Sequence, residues 1–317
     1  MNYIVMDLEW NQCPEGKSKE VEEIPFEIIE IGAVKLNEAL EIVGEFSEKI
    51  KPRVYKKMDA HVEEIVQVKM EELQDCRGFF RVAEDFLQWC GEERVFCTWG
   101  PQDLIELQRN MEYYKMSALS SKPFFYYDVQ KLFEVFFDEE KATRNLAFAV
   151  EYFHIECKEE FHSAISDARY TALIMQKFDV KKIKKYQEID YFHYPKVPED
   201  EIDISFSSYA KHISMGYPGK EALMRARTVK EVRCCICNKR ASKKIDWFTN
   251  NSKNYYGLFL CKEHGYLKGK VRAKRGQGEE YFAVKTVKII SKDEANRLGR
   301  KKENIVEKRA KKSKELL

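Results

Sequence analysis

Five side chains in the first 170 residues are of the types that phosphodiester hydrolysis requires. Asp7 and Glu9 stand two apart at the end of the apolar run Tyr3-Ile4-Val5-Met6. Period-two alternation along a strand sends both carboxylates to the same side. Asp103 closes Cys97-Thr98-Trp99-Gly100-Pro101-Gln102-Asp103, which reads as a strand running into a helix. In Phe161-His162-Ser163-Ala164-Ile165-Ser166-Asp167 a histidine precedes an aspartate by five residues, and Ser163 is placed to cap a helix. Each has an ordinary explanation alone: Asp-x-Glu is common, and an acid such as Asp103 at a helix start gains about 0.3–1 kcal/mol from the helix dipole. Their combination is the informative feature. Two divalent cations can stabilise the attacking and leaving oxygens of an in-line displacement, and hard Mg2+ or Mn2+ takes carboxylates rather than thiols. An imidazole titrating near about 6.5 can accept the proton of an attacking water. Four clustered carboxylates would repel one another without such a cation.

A second set lies near the other end. Cys234-x2-Cys237 and Cys261-x2-His264 form two short knuckles able to close a tetrahedral Zn2+ site with no open position, which is the structural kind. Cys235 could replace Cys234 as first ligand. Aromatic and cationic residues surround these knuckles: Trp247, Tyr255 and Tyr256, then Lys268, Lys270, Arg272, Lys274 and Arg275. Interleaved rings and cations suit a groove for single-stranded nucleic acid; a small aromatic core with solvated lysines is the plainer account. Trp10 and Asn11, beside the first acids, are candidates for touching the terminal nucleotide, with core packing the alternative for Trp10.

The elements that must hold these groups follow from apolar patterning. Strands are predicted over 2–7, 26–36, 40–50, 94–99 and 124–127, and helices over 102–115, 128–137, 144–154 and 164–178. Strands first, then strands alternating with helices, describe an α/β plan with a mixed sheet covered by helices. Phe79, Phe80, Phe86 and Trp89 recur at helical spacing and are expected in the core. His61 is expected at the surface or near a helix start, and His154 half-buried in a helix. Residues 181–230 resist assignment. The segment 231–290 reads as a compact, strand-rich, zinc-ribbon-like module, and 291–317 as a polar, basic tail.

Charge divides the chain. Residues 1–180 hold 21 Lys and Arg against 36 Asp and Glu, a net charge of −15, whereas 181–317 hold 34 against 17, a net charge of +17. A basic half is a plausible polyanion binder, because cations that neutralise phosphates release counterions. With 44% hydrophobic residues the chain has ample material for a core. It contains no apolar run of about 18 residues, so no membrane helix is expected. An acid at position 7, before any signal-peptide pattern, and nine scattered cysteines point to a cytoplasmic protein with thiols and metal ligands rather than disulfides.

The order Asp-x-Glu, then Asp, then His-x4-Asp resembles the DEDDh (DnaQ-like) exonucleases. Glu30-Ile31-Gly32-Ala33 and the Cys97–Asp103 segment are similar to the branch holding the Eri-type histone-mRNA exonucleases and the KapD proteins. The resemblance covers 1–180. It implies a ribonuclease-H-like fold and 3′-to-5′ hydrolysis to nucleoside 5′-monophosphates with two Mg2+ or Mn2+. It implies metal ligation by Asp7, Glu9, Asp103 and Asp167, a general base at His162, and RNA in preference to DNA. Trp10-Asn11-Gln12 departs from the small residue and Thr that many such proteins carry there. The competing readings are a non-catalytic nucleic-acid adaptor that keeps the fold, and a zinc module that docks on other proteins.

Overall fold

The computed structural model describes residues 1–314 except 67, 141, 158, 207, 208 and 250, with side chains to residue 308. The chain divides into two compact units, Met1–Phe192 and His193–Leu317.

The first unit is built on β1 (Asn2–Gln12), β2 (Phe26–Leu36), β3 (Ile42–Lys49), β4 (Arg94–Thr98), β5 (Phe124–Asp128) and β6 (Glu188–Asp190). They form one sheet in the order β3-β2-β1-β4-β5-β6. β1 runs antiparallel to β2 and parallel to β4, so the sheet is mixed as patterning predicts. Its helices are α1 (Ala60–Ile65), α2 (Met70–Leu73), α3 (Phe79–Cys90), α4 (Gln102–Tyr113), α5 (Val129–Phe136), α6 (Leu146–Tyr152), α7 (Ala164–Met175) and α8 (Val180–Ile183). This is the expected ribonuclease-H-like α/β arrangement.

Alternation along β1 divides the core between two faces. Tyr3 and Val5 pack with residues of α5, α6 and α7, while Ile4, Met6 and Leu8 pack with residues of α3 and α4. β6 lies beyond residue 180 yet belongs to this sheet, because Phe124, Phe125 and Tyr126 pair with Asp190, Ile189 and Glu188. Phe79 and Phe86 are buried as expected, but Phe80 is exposed: neighbouring residues on α3 point 100° apart, and only one faces the sheet. His154 also departs from expectation. It is exposed just past the end of α6, with φ +50°.

The second unit contains β7 (Ile202–Ser205), β8 (Tyr209–Ile213), β9 (Tyr217–Pro218), α9 (Gly219–Arg225), α10 (Arg227–Lys230), β10 (Ser242–Thr249), β11 (Asn254–Cys261), β12 (Gly265–Arg275), β13 (Glu280–Ile289) and α11 (Lys292–Lys314). The sheet order is β10-β11-β12-β13-β8-β7, with β9 also paired to β13. The segment without a fold assignment from sequence thus supplies three strands and two helices to this unit. One side of the sheet is apolar: Leu267, Val271, Phe259 and Val287 are buried there. Ala295 and Leu298 seat α11 against Leu258 and Ile290.

Gly32 fixes the approach of α7. A Cβ at this position would lie 2.1 Å from the carbonyl carbon of Ala164 and 2.2 Å from the amide nitrogen of Ile165. Backbone cannot yield as a side-chain end can, so Gly32→Ala is expected to lower stability by about 1–3 kcal/mol or more. Thermal denaturation of the variant checks this, with the melting temperature falling by several degrees.

Candidate active site

The acids converge because three different elements end at one place. Asp7 and Glu9 lie on β1, opposite Gly32 and Glu30 of β2. The register shifts directly after Glu9, between it and Trp10. Such a bulge re-aims the residue that follows. On the other flank β1 pairs in parallel with β4 as far as Val5 and Cys97, so both strands carry their C-terminal ends to the same edge. α4 starts there. Asp103, in its first turn, accepts a hydrogen bond from the Leu8 N–H at 3.2 Å. α7 crosses over Gly32 and brings Asp167, whose Oδ2 accepts from the His162 N–H at 3.4 Å.

The ligand atoms of Glu9, His162 and Asp167 lie within 4.8 Å of one another. His162 is exposed and holds φ +70°, a left-handed turn just before α7. Asp7 adjoins the group through its charge: burial, then Asp103, Glu9, Asp167 and Glu30, push its carboxyl well above the usual range. All five residues expected at the site are therefore gathered at one strand edge.

A sixth group had no reading in the sequence as a site residue. Glu30 is 3% exposed. Its Oε1 accepts from the Ser163 hydroxyl at 3.4 Å, and its Oε2 is buried without a hydrogen-bond partner. The Ala164 N–H, in the first turn of α7, also bonds its carboxylate. Ser163 does occupy the cap position, but its hydroxyl makes no capping bond; Glu30 from the neighbouring strand serves the helix start instead. No spacing along the chain marks it: its place follows from the register that sets it opposite Glu9 on the adjacent strand.

Asn11 corrects an expectation. It is fully buried, donates to the Lys57 and Tyr55 carbonyls at 2.8 and 3.3 Å, and accepts from the Asp59 N–H at 3.0 Å. Its amide is used inside the fold and is not offered to a nucleotide. Trp10 is half-buried against the apolar core, with its ring 5.9 Å from that of Phe26. His61 is exposed beside Asp59, which caps α1.

The other cluster is compact too. Cys234 Sγ and Cys261 Sγ each lie 3.6 Å from His264 Nδ1, and Cys237 Sγ lies 3.7 Å from Cys261 Sγ. A zinc tetrahedron has edges of about 3.8 Å between sulfurs and about 3.6 Å from sulfur to nitrogen, given its usual bond lengths. The four groups fit that ion. Cys235 lies outside the cluster, which leaves Cys234 as the first member. The Cys261 thiol is lowered to about 6, first by the Glu263 N–H. No helix among the described residues is long and apolar enough to cross a membrane.

Four carboxyls of the acidic site are shifted the same way. Burial, followed by neighbouring acids, raises Glu9 to about 8; burial raises Asp103 to about 7 and Asp167 to about 6. Each binds its proton more tightly folded than unfolded. The contribution of these groups to stability without cations is therefore greatest in acid and declines from about pH 4 to about pH 8 as they ionise. Melting temperatures across that range check the sign. Added Mg2+ or Mn2+ is expected to raise them most at the alkaline end.

The comparisons bear chiefly on the first unit. No curated protein matches the chain significantly in sequence. Among solved structures it is similar to the nuclease domain of 3′hExo, a DEDDh family member bound to rAMP, with 16% identity, TM-score 0.49, and 60% of this chain and 96% of that one covered. Pop2p of S. pombe, in its Mg2+- and Mn2+-bound form, gives 18% identity, TM-score 0.42, and coverages of 60% and 84%. Exonuclease I of E. coli, in complex with an oligonucleotide, gives 12%, 0.46, and 82% and 55%. The RNase T family profile, described as exonuclease, matches residues 4–175, more than half of the chain and the whole stretch that carries the acids. The chain belongs to that exonuclease family.

Proposed function

We propose that the chain is a 3′-to-5′ exonuclease of the DEDDh type that trims single-stranded nucleic acid to nucleoside 5′-monophosphates. The observation that carries the reading is the convergence of Asp7, Glu9, Asp103 and Asp167 with His162 at one sheet edge. Buried acids raised together, with Asp167 Oδ1 and Glu30 Oε2 lacking partners, suit a site meant for positive charge. Asp7, Glu9 and Asp167, with Asp103 beside them, would hold two Mg2+ or Mn2+. Such cations, when bound, stabilise the attacking and leaving oxygens of the phosphoryl transfer.

The chain's own residues supply the rest. His162, exposed at the mouth of the site, accepts the proton of the water whose oxygen attacks phosphorus. The bond to the 3′-oxygen of the preceding nucleotide breaks, that oxygen gains a proton from solvent, and a 5′-monophosphate leaves. The His162 N–H donated to Asp167 keeps the imidazole's backbone tied to an acid of the site. RNA is the preferred strand on the likeness of Glu30–Ala33 and Cys97–Asp103 to the Eri and KapD branch.

Trimming of 3′-labelled and 3′-blocked RNA and DNA with Mg2+ or Mn2+ tests the reading; absence of divalent-dependent release from any free 3′ end would overturn it. Asp167→Asn is expected to remove turnover through lost cation binding. His162→Ala is expected to lower kcat about 10²–10⁴-fold while leaving KM within a few-fold.

The Cys234, Cys237, Cys261 and His264 cluster is assigned structural Zn2+, in a cytosolic, reducing setting that keeps the thiols available. Because a site of this kind contributes directly to folding, Cys261→Ser or a strong chelator is expected to melt the second unit at a lower temperature. Metal content measured beside thermal unfolding checks this; a full complement of structure without zinc would contradict it.

A further inference from the structure

Alternation along β12 sorts its residues into two unlike faces. Leu267, Gly269, Val271 and Ala273 turn to the apolar side, so Lys268, Lys270, Arg272 and Lys274 share the other. Cross-strand register adds Lys288 of β13 opposite Lys268, and Tyr256 of β11 opposite Lys270. Like charges directly opposite one another destabilise a sheet. Even so, no described carboxylate forms an ion pair with Lys268, Lys270 or Arg272. Burial, and then Arg272, Lys268 and Lys301, hold the Lys270 ammonium below the ordinary lysine range.

The cationic face continues onto α11. The Lys301 ammonium sits 3.9 Å from the centre of the Tyr256 ring, and that of Lys268 sits 5.9 Å from it. Arg297, Lys301, Asn304 and Lys308 follow the i, i+4, i+7, i+11 spacing of one helical stripe. With Arg300 and Ile305 they line a groove of about 380 Å³. A surface that gathers cations from a strand and a helix is stabilised by an extended polyanion laid along it. Alternate positions on a strand repeat every 6.6–6.8 Å or so, a spacing that an extended sugar–phosphate backbone can follow.

We propose that this face of the second sheet, with the α11 stripe, is a track for the phosphate backbone of a nucleic-acid strand, read without regard to base. The choice of nucleic acid as the polyanion rests on the exonuclease reading. Independence from base follows from what the rings are doing. Tyr256 already has ammonium groups near its ring. Trp247 lies on the apolar side, packed over Gly257 and Gly269, and its indole N–H donates to the Lys230 carbonyl at 3.1 Å. Tyr255 pairs with Val271 and joins the same apolar cluster, and Arg275, opposite Tyr281, falls by alternation on the side of Val271 and Ala273. Trp247, Tyr255 and Arg275 are therefore removed from the nucleic-acid surface expected from sequence, and Lys288, Lys301 and the helix stripe are added to it.

The test is binding of a fluorescent single-stranded oligonucleotide to the full chain bearing Asp167→Asn, which leaves the strand uncut, over a salt series. Lys268→Gln, Lys270→Gln and Lys301→Gln together are expected to weaken binding tenfold or more. They should lower the slope of log affinity against log salt by about 2, three contacts at about 0.7 each. The same change at Lys220, Lys239 and Lys262 should leave both unaltered, and arginine at the three track positions should retain binding. An unchanged slope, or equal loss in the control set, overturns the track. So does binding to vesicles of anionic phospholipid with none to the oligonucleotide. A chain that binds in this way but trims no 3′ end sinks the exonuclease reading and spares this one; normal trimming with binding indifferent to the three lysines does the reverse.

Discussion

Mutual repulsion among buried carboxylates is the constraint around which the first unit is organised. Burial raises the proton affinity of Asp7, Glu9, Asp103, Asp167 and Glu30, and neighbouring acids raise that of Asp7, Glu9, Asp103 and Glu30 further. A fold driven only by core packing would place these acids apart in water. Here a sheet edge, the start of α4 and the start of α7 force them together. The cost of that crowding is offset when positive charge enters, so a site of this kind couples stability to its cations.

Keeping the crowd in place depends on backbone as much as on side chains. The strand end beside Asp103 is tied by the Leu8 amide. α7 can bring Asp167 close only because residue 32 has no Cβ. Glu30, one step along the same strand, accepts from the helix start and from Ser163, so one acid both adds to the charge and anchors the helix that presents another. Glu27, also on β2 and buried, accepts from the Arg53, Val54 and Tyr55 amides, which steadies the loop that Asn11 grips. The acidic edge is thus framed by acids whose work is positional.

The second unit solves the opposite electrostatic problem. Its apolar sheet face is modest, and a sulfur–imidazole tetrahedron lies beside Val232, Ala241 and Leu267 in that cluster. Its other face accumulates cations, and no described carboxylate forms an ion pair with Lys268, Lys270 or Arg272 there. The opposite net charges of the two ends of the chain, visible in composition, become a cluster of acids at a strand edge in one unit and a ladder of lysines in the other.

Much of this was legible in the sequence. β2 spans the predicted 26–36, and the acids that patterning placed at strand and helix ends are the ones that meet, because a carboxylate following an apolar strand has few places to go. The Cys-x2-Cys and Cys-x2-His spacings pointed to the sulfur–imidazole cluster, since each short turn presents two side chains on one side, and left only Cys234 or Cys235 for the structure to decide. Which residues share a face across strands was not legible. Glu30 became part of the site through its pairing with Glu9, Asn11 was lost to loop 55–59, and Trp247 turned inward while Lys301, 45 residues beyond Tyr256, came in from α11. The physical reason is range. Periodicity and spacing act within a few residues, so local order and side-chain chemistry can be read along the chain. Register and helix approach are settled by packing between segments far apart in sequence, and only the folded structure decides them.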